Sequence, residues 1–337
     1  MSIDMQIAAY LTRVWRVPVT IEHLARIPGG ASRETYRFDA TAGGRIRQLI
    51  LRRDPVGSLL DTDRQIEFEA YRTACGRLPV PEPIAFERDG AELERPFFLM
   101  ERIDGGIVAS PFTAAPFGSH ASKIGEAFFR HLGTLAAMDP APTPLGDILA
   151  APAPYTCWRV ALDHWAGVID ADEAHPQPIV RAAIRRLRAH PPPPAQAVRI
   201  VHGDYRSGNI IHDGVGGILA ILDWEMAHLG DPIEDLGWAF DPIWNHFDDG
   251  VVCGMIPRAN AIAAWEAASG LTVDPVALRW WSLFNAVKGQ AIWTSAAREY
   301  RANGCIDPVL GISGWYTARR HDEIIAAQLI AFAEATA

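Results

Sequence analysis

The chain has 337 residues, room for about two lobes at roughly 150 residues per domain. Hydrophobic residues make up 49% and charged residues 21%, a globular balance that excludes wholesale disorder. The net charge is -9, and the block 201–250, with ten carboxylates against one arginine, carries all of it. No Lys/Arg stripe is left for a nucleic-acid backbone.

No apolar run reaches the roughly 18 residues that a membrane span needs. The amino terminus carries Asp4 and Arg13 where a targeting segment would be basic and then greasy. A soluble, cytoplasmic protein is expected, and nothing in the sequence fixes its oligomeric state. Cys75, Cys157, Cys253 and Cys305 are too widely spaced for a zinc knuckle or a redox pair and read as buried free thiols.

In chain order, apolar positions at helical spacing predict a helix over 3–15. Short runs bounded by turn residues predict strands over 19–27, 35–38, 46–51, 84–86 and 96–100, with a helix over 61–76 between the third and fourth. Beyond about residue 103 the period lengthens, predicting helices over 121–138, 156–168, 176–189, 257–269, 275–300 and 317–334. One strand-and-loop block, 199–230, interrupts them. The expected fold is α+β: a small sheet lobe over 1–102, a larger helical lobe over 103–337, and a ligand crevice at their junction.

The segment richest in chemistry is Val201-His202-Gly203-Asp204-Tyr205-Arg206-Ser207-Gly208-Asn209-Ile210-Ile211, followed by Ile218-Leu219-Ala220-Ile221-Leu222-Asp223-Trp224-Glu225. A turn over 213–217 folds the apolar strands side by side and gathers Asp204, Asn209 and Asp223. Such oxygen donors suit Mg²⁺, which fills its remaining positions with water and phosphate. Phosphoryl transfer asks for in-line positioning, charge neutralisation and a carboxylate for the attacking hydroxyl. A lone Asp-x-x-x-x-Asn is ordinary turn chemistry. Here His202-Gly203 precedes it, Asp223 ends the next strand, and Gly230-Asp231-Pro232 with Asp235 follows.

These stretches, with His228 to Trp238, resemble the aminoglycoside phosphotransferase family of kinase-like proteins. Within it the chain is most similar to the branch found alone in bacteria and fused to acyl-CoA dehydrogenase modules in animals. The resemblance covers nearly the whole chain and implies a two-lobed, protein-kinase-like fold. It implies Asp204 as catalytic base, with His202 and Arg206 completing the catalytic set and His202 bracing the loop. Asn209 and Asp223 match the metal ligands, and Glu225 either adds a carboxylate to that shell or faces solvent. Asp231 before Pro232 reads as a helix N-cap, and Asp235 as a brace.

On the nucleotide side, Ile27-Pro28-Gly29-Gly30-Ala31-Ser32 joins two predicted strands and is, on its own, a hairpin turn. The resemblance lays it over the ATP phosphates, with Gly29, Gly30 and Ser32 as contacts. Arg52 stands where the resemblance expects a phosphate-binding Lys, and its planar fork is wider than an ammonium. Glu67 on the 61–76 helix is its expected ion-pair partner, Glu69 the alternative. The strand 96–100 running into Glu101, Arg102 and Ile103 fits a hinge whose main chain meets adenine.

The acceptor is less legible. Tryptophans of the second half, Trp165, Trp238, Trp244, Trp280 and Trp281 among them, read as core or crevice packing and hint at a partly apolar acceptor. The acidic block would attract a polycationic aminoglycoside, but several of its carboxylates are already committed to metal or to helix starts; Lys288 and Arg206 would suit an anionic or acyl compound. The resemblance implies a hydroxylated acyl group. The expected activity is ATP- and Mg²⁺-dependent phosphorylation of a small-molecule hydroxyl. Two other readings use the same residues: a nucleotide-binding pseudokinase, favoured by Arg52, and a metal-dependent hydrolase built on His202, Asp204, His212 and Asp223.

Overall fold

The structure is a computed structural model, and it describes residues 2–27, 34–54, 63–110, 113–302 and 308–335. Helix α1 (Ile3–Trp15) lays a stripe of Ile7, Tyr10 and Leu11 on the first sheet and stops where Arg16 turns left-handed at φ 59°. Strands β1 (Val19–Ile27), β2 (Glu34–Ala42) and β3 (Arg45–Arg53) follow. Helix α2 (Arg64–Ala74), whose N-cap Asp63 accepts the Gln65 amide at 2.8 Å, then leads to β4 (Pro83–Glu87) and β5 (Phe97–Glu101). The five strands form one antiparallel sheet in the order β1-β2-β3-β5-β4.

β2 and β3 outrun their predicted lengths. A two-residue turn at Gly43-Gly44, both at positive φ, lets them pair out to Ala42 opposite Arg45.

The second half contains β6 (Ile107–Val108), α3 (Ala121–Ala137), α4 (Pro144–Ile148), α5 (Cys157–Asp172) and α6 (Pro178–Ala189). Next come β7 (Arg199–Val201), β8 (Ile210–His212), β9 (Ile218–Ile221), β10 (His228–Gly230) and α7 (Ile233–Ala239). Last are α8 (Arg258–Ser269), α9 (Pro275–Ala302), α10 (Pro308–Ile312), a π-helical turn (Ser313–Thr317) and α11 (Ala318–Ala335). The predicted strand block divides in two: β7 pairs with β10, while β8 pairs with β6 and β9. The short helices α4 and α10 have too few turns for a period to register in the sequence.

Alternation along β3 and β5 sends successive side chains to opposite faces. Leu49, Leu51, Phe97 and Leu99 join Ile7, Tyr10 and Leu11 of α1 in a small core. Ile50, Phe98 and Met100 point the other way, with Phe68 and Tyr71 of α2, into a larger core continuous with Leu132, Trp224 and Trp281 of the second half. Among the described residues no helix is long and apolar enough to cross a membrane. Cys157 and Cys253 are buried as expected, but Cys75 is exposed, because it caps α2 where the chain turns out at Gly76; Cys305 lies outside the described residues.

Candidate active site

The loop between β7 and β8 is fixed at nearly every residue. Gly203 has φ +83°, and a Cβ there would stand 2.3 Å from the Met226 carbonyl oxygen, so only glycine lets the loop pass. Asp235 on α7 accepts the amides of His202 at 2.6 Å and Gly203 at 2.9 Å, the brace expected of it. Tyr205 donates to the Phe128 carbonyl at 2.8 Å, and Ser207 lies 2.8 Å from His246 Nε2.

His202 is fully engaged. Its Nδ1 accepts the Asp204 amide at 3.1 Å, so Nε2 carries the proton and donates it to the Leu222 carbonyl at 3.0 Å. Burial lowers its pKa to about 3, keeping the ring neutral. No lone pair remains for proton transfer, so His202 is a brace and not a member of the reacting set. The same contacts, with His212 accepting the Gly214 amide at 3.1 Å and packing on Phe117, leave the hydrolase constellation unassembled.

Asp204 accepts from three sides. Trp238 Nε1 donates to Oδ1 at 2.7 Å, Asn209 Nδ2 to Oδ2 at 2.6 Å, and Arg206 Nε lies 3.2 and 3.3 Å from the two oxygens. Burial raises the Asp204 pKa against the opposing pull of Arg206. Asn209 gives Asp204 a further N–H, to its carbonyl at 2.9 Å, which leaves the amide oxygen as its face toward a cation. The β8–β9 hairpin pairs Ile210 with Ile221, and the Leu222 amide donates to the Asn209 carbonyl at 2.8 Å. Asp223 is thereby carried alongside Asn209.

Asp223 sits in the left-handed region at φ +67° and donates its amide to Tyr71 Oη on α2 at 3.0 Å. Its Oδ1 accepts from Arg52 at 2.9 Å. Burial would raise its pKa, but the Arg52 guanidinium outweighs that and holds the carboxyl below its usual value. The three expected residues therefore do converge. Among the described residues no three His, Cys, Asp or Glu side chains gather as a metal cluster. The Asn209 amide oxygen and the Asp223 carboxylate are hard oxygen donors side by side, and Glu225 adds negative field at Arg52.

Arg52 joins the lobes. One prong meets Glu67 at 2.8 Å and the other Asp223 at 2.9 Å. Burial opposes its charge, but Glu67 and Asp223 together hold it firmly protonated. Glu67 takes a second arginine, Arg64, at 2.5 Å, and Arg64 in turn pairs with Asp54. Glu69 binds Arg72 at 2.8 Å instead. At the hinge, the Glu101 amide donates to the Glu82 carbonyl and the Arg102 amide to the Gln48 carbonyl, both at 2.9 Å. Gly29, Gly30 and Ser32 lie outside the described residues.

One expectation about the acceptor side fails. Lys288 is buried: it donates to the Gly203 carbonyl, pairs with Glu234 at 3.1 Å, and lies over the rings of Trp165 and Trp238. It supports the β7–β8 loop from beneath and cannot greet a ligand. Much of the acidic block is also internal. Asp231 accepts the Ile233 amide and the Trp281 indole, Glu234 holds His228 and Lys288, and Asp241 accepts the Ile243 amide. Asp231 thus serves the helix start as expected, although Ile233 and not Pro232 opens the helix. A cavity of about 610 Å³, lined by Phe240, Asn245, Arg258 and Ile324 among others, includes none of Asp204, Asn209 and Asp223.

Sequence reasoning passed over Tyr71, Arg64 and Trp238 as site residues. Trp238 left a trace, standing three residues after Asp235 and so on the same face of α7.

The family model described as the phosphotransferase enzyme family matches residues 23–296, a span that includes every residue named at this site. The chain belongs to the phosphotransferase enzyme family. Among curated relatives of this phosphotransferase, acyl-CoA dehydrogenase family member 10 of Mus musculus is 32% identical over 197 residues, covering 57% of this chain and 18% of that protein. The chain thus spans under a fifth of that relative's length. Among solved structures, a provisionally named aminoglycoside phosphotransferase from Ralstonia eutropha superposes with a TM-score of 0.74 at 20% identity, covering 96% of this chain and 97% of that one. A thermostable mutant of aminoglycoside phosphotransferase APH(4)-Ia, solved with ADP and hygromycin B, gives 0.59 at 17% identity, covering 96% and 97%. At such identities the likeness is one of fold, the two-lobed kinase-like arrangement described above.

Proposed function

We propose that this phosphotransferase moves the γ-phosphoryl group of Mg²⁺-bound ATP to a hydroxyl of a small molecule, with Asp204 as base. The observation that carries the reading is the convergence of Asp204, Asn209 and Asp223 at the junction of the lobes, with Arg52 tying Asp223 to Glu67. Asn209 and Asp223 offer the hard oxygen donors that Mg²⁺ takes. Held by these two residues, a magnesium ion would supply positive charge to offset that of the transferring phosphates.

The remaining steps belong to the chain. The Glu101 carbonyl and Ile103 amide would meet the adenine edge, and the main chain of Gly29, Gly30 and Ser32 would cover the phosphates. Arg52, oriented by Glu67, donates to a phosphate oxygen. Arg206, its guanidinium 4.7 Å from the Trp244 ring centroid, sets a positive charge beside the carboxylate. Asp204, its affinity for a proton raised by burial, takes the hydroxyl proton as the new O–P bond forms and the bond to the bridging oxygen breaks, releasing ADP.

The internal duties of Asp231, Glu234, Asp235 and Asp241 weaken the case for a polycationic acceptor. A neutral hydroxyl compound, or one whose negative charge meets Arg206, fits better, and the mouse relative's name, which speaks of acyl-CoA, favours an acyl compound among these. A panel of hydroxyacyl compounds and aminoglycosides, incubated with Mg-ATP and read by mass spectrometry for an added phosphoryl group, tests this. Phosphorylation of a hydroxyacyl member is expected. Asp204→Asn should lower the rate about a thousandfold while keeping the melting shift given by Mg-ATP. Asp223→Asn should lose the Mg²⁺-dependent part of that shift. A protein that Mg-ATP stabilises, yet that forms no ADP with any compound, would be a pseudokinase and would overturn the reading.

A further inference from the structure

We propose that Trp238 is a positioning residue for phosphoryl transfer, its indole N–H fixing the plane of the Asp204 carboxylate from which the acceptor hydroxyl is met. This rests on Asp204 acting as the base, as proposed above. A carboxylate turns easily about its last bond, because terminal sp³–sp² torsions are broad. One donor leaves that torsion loose. Donors at opposite ends fix it: Trp238 holds Oδ1 at 2.7 Å and Asn209 holds Oδ2 at 2.6 Å, both closer than Arg206 Nε, which lies between the two oxygens at 3.2 and 3.3 Å. Asn209 is also an expected metal ligand and answers to the cation. Trp238 has no such second duty.

The indole is itself held fast. It is 1% exposed, with Lys288 Nζ 5.2 Å from its ring centroid and the Trp244 ring edge-on at 5.3 Å. It rides on α7, where Asp235, one turn earlier, grips the amides of His202 and Gly203. Helix α7 thus holds the loop twice, by the backbone just ahead of Asp204 and by the Asp204 side chain. Trp244 carries the Arg206 guanidinium on its ring, so one aromatic pair sets both the carboxylate and the cation beside it. An indole N–H only donates; it neither accepts a proton from the acceptor nor binds a metal. Its contribution is therefore to geometry.

Steady-state turnover of Mg-ATP, with water as phosphoryl acceptor, gives the test without a known substrate. Trp238→Phe keeps an aromatic ring against Lys288 and Trp244 but has no N–H. It should lower kcat about tenfold or more and leave the KM for Mg-ATP within about twofold. Because phenylalanine is smaller, β-(3-benzothienyl)alanine incorporated at position 238 supplies the decisive comparison: the indole shape with sulfur in place of N–H. It should be as slow as Trp238→Phe, and it decides the matter if that variant does not fold. Wild-type turnover in this isostere would overturn the proposal, since packing alone would then suffice. Asp204→Asn is run beside it. If Asp204→Asn turned over normally, the base assignment itself would fall; an inactive Asp204→Asn beside a fully active isostere would remove only the role of Trp238.

Discussion

His202 shows how a residue near the chemistry can be structural. Its folded pKa of about 3 lies below the ordinary histidine value, so the unfolded chain takes up a proton first as the pH falls. Stability conferred by His202 is full above about pH 6.5 and is lost progressively toward pH 3. Between pH 7 and pH 4 the loss should be roughly 3 kcal/mol. Urea midpoints measured across that range should fall more steeply in the wild type than in His202→Gln, which titrates no ring. Parallel curves would refute the assignment. The resemblance implies His202 as a brace within the catalytic set, and what keeps it out of the reacting set, its bond to the Leu222 carbonyl twenty residues away, has no sequence signature. Lys288 was misread for a related reason. Helix α9 buries Trp280, Trp281, Phe284, Ala286, Val287 and Ala291 on several faces, so no polar stripe reveals that its lysine points inward.

At the scale of elements, α2 ties Arg52 of the sheet to Asp223 of the second half. Glu67 orients Arg52, and Tyr71, one turn on, receives the Asp223 amide, so two contacts of one helix reach the same aspartate. Tyr71 is fully buried, between Phe98 and Trp224. Tyr71→Phe keeps that packing and leaves the Asp223 amide without its acceptor, a loss of about 1–3 kcal/mol for a buried donor. With Asp223 less well held, Mg-ATP affinity should fall about tenfold, while nucleotide affinity without Mg²⁺ stays unchanged. Calorimetric titration with and without the metal separates the two, and an equal fall in both would contradict the coupling. The helix was legible from its period, and the Glu67 pairing, with Glu69 as the alternative, as what the resemblance implies. The Tyr71 contact was not, because it joins segments 152 residues apart and uses a backbone amide that has no sequence signature. The β8–β9 hairpin was legible for the opposite reason: its turn is local, with Asp213 accepting the amides of Val215, Gly216 and Gly217.

Across the whole molecule, the boundary expected near residue 102 does not divide the core. Ile50, Phe68, Tyr71, Phe98 and Met100 belong to the same apolar cluster as Leu132, Trp224 and Trp281. Polar contacts cross the boundary too: the Ile221 amide donates to the Pro79 carbonyl at 2.7 Å, the Leu145 amide to Thr73 at 3.1 Å, and Arg52 reaches Asp223. Apolar surface shared in this way is lost to both sides at once if either lobe unfolds, at about 25 cal/mol per Å². The two lobes should therefore unfold together. Ten of the eleven tryptophans lie beyond residue 102, so intrinsic fluorescence follows the larger lobe. A dye on the exposed Cys75, in a Cys305→Ser background, follows α2 and the smaller one. The two urea curves should superimpose, and the 1–102 segment expressed alone should fail to fold, since Ile50, Phe68, Tyr71, Leu78, Phe98 and Met100 would lose their cover. An earlier transition at Cys75, or a folded 1–102 fragment, would mean that the nucleotide lobe stands by itself and that the shared core contributes little to holding Arg52 against Asp223.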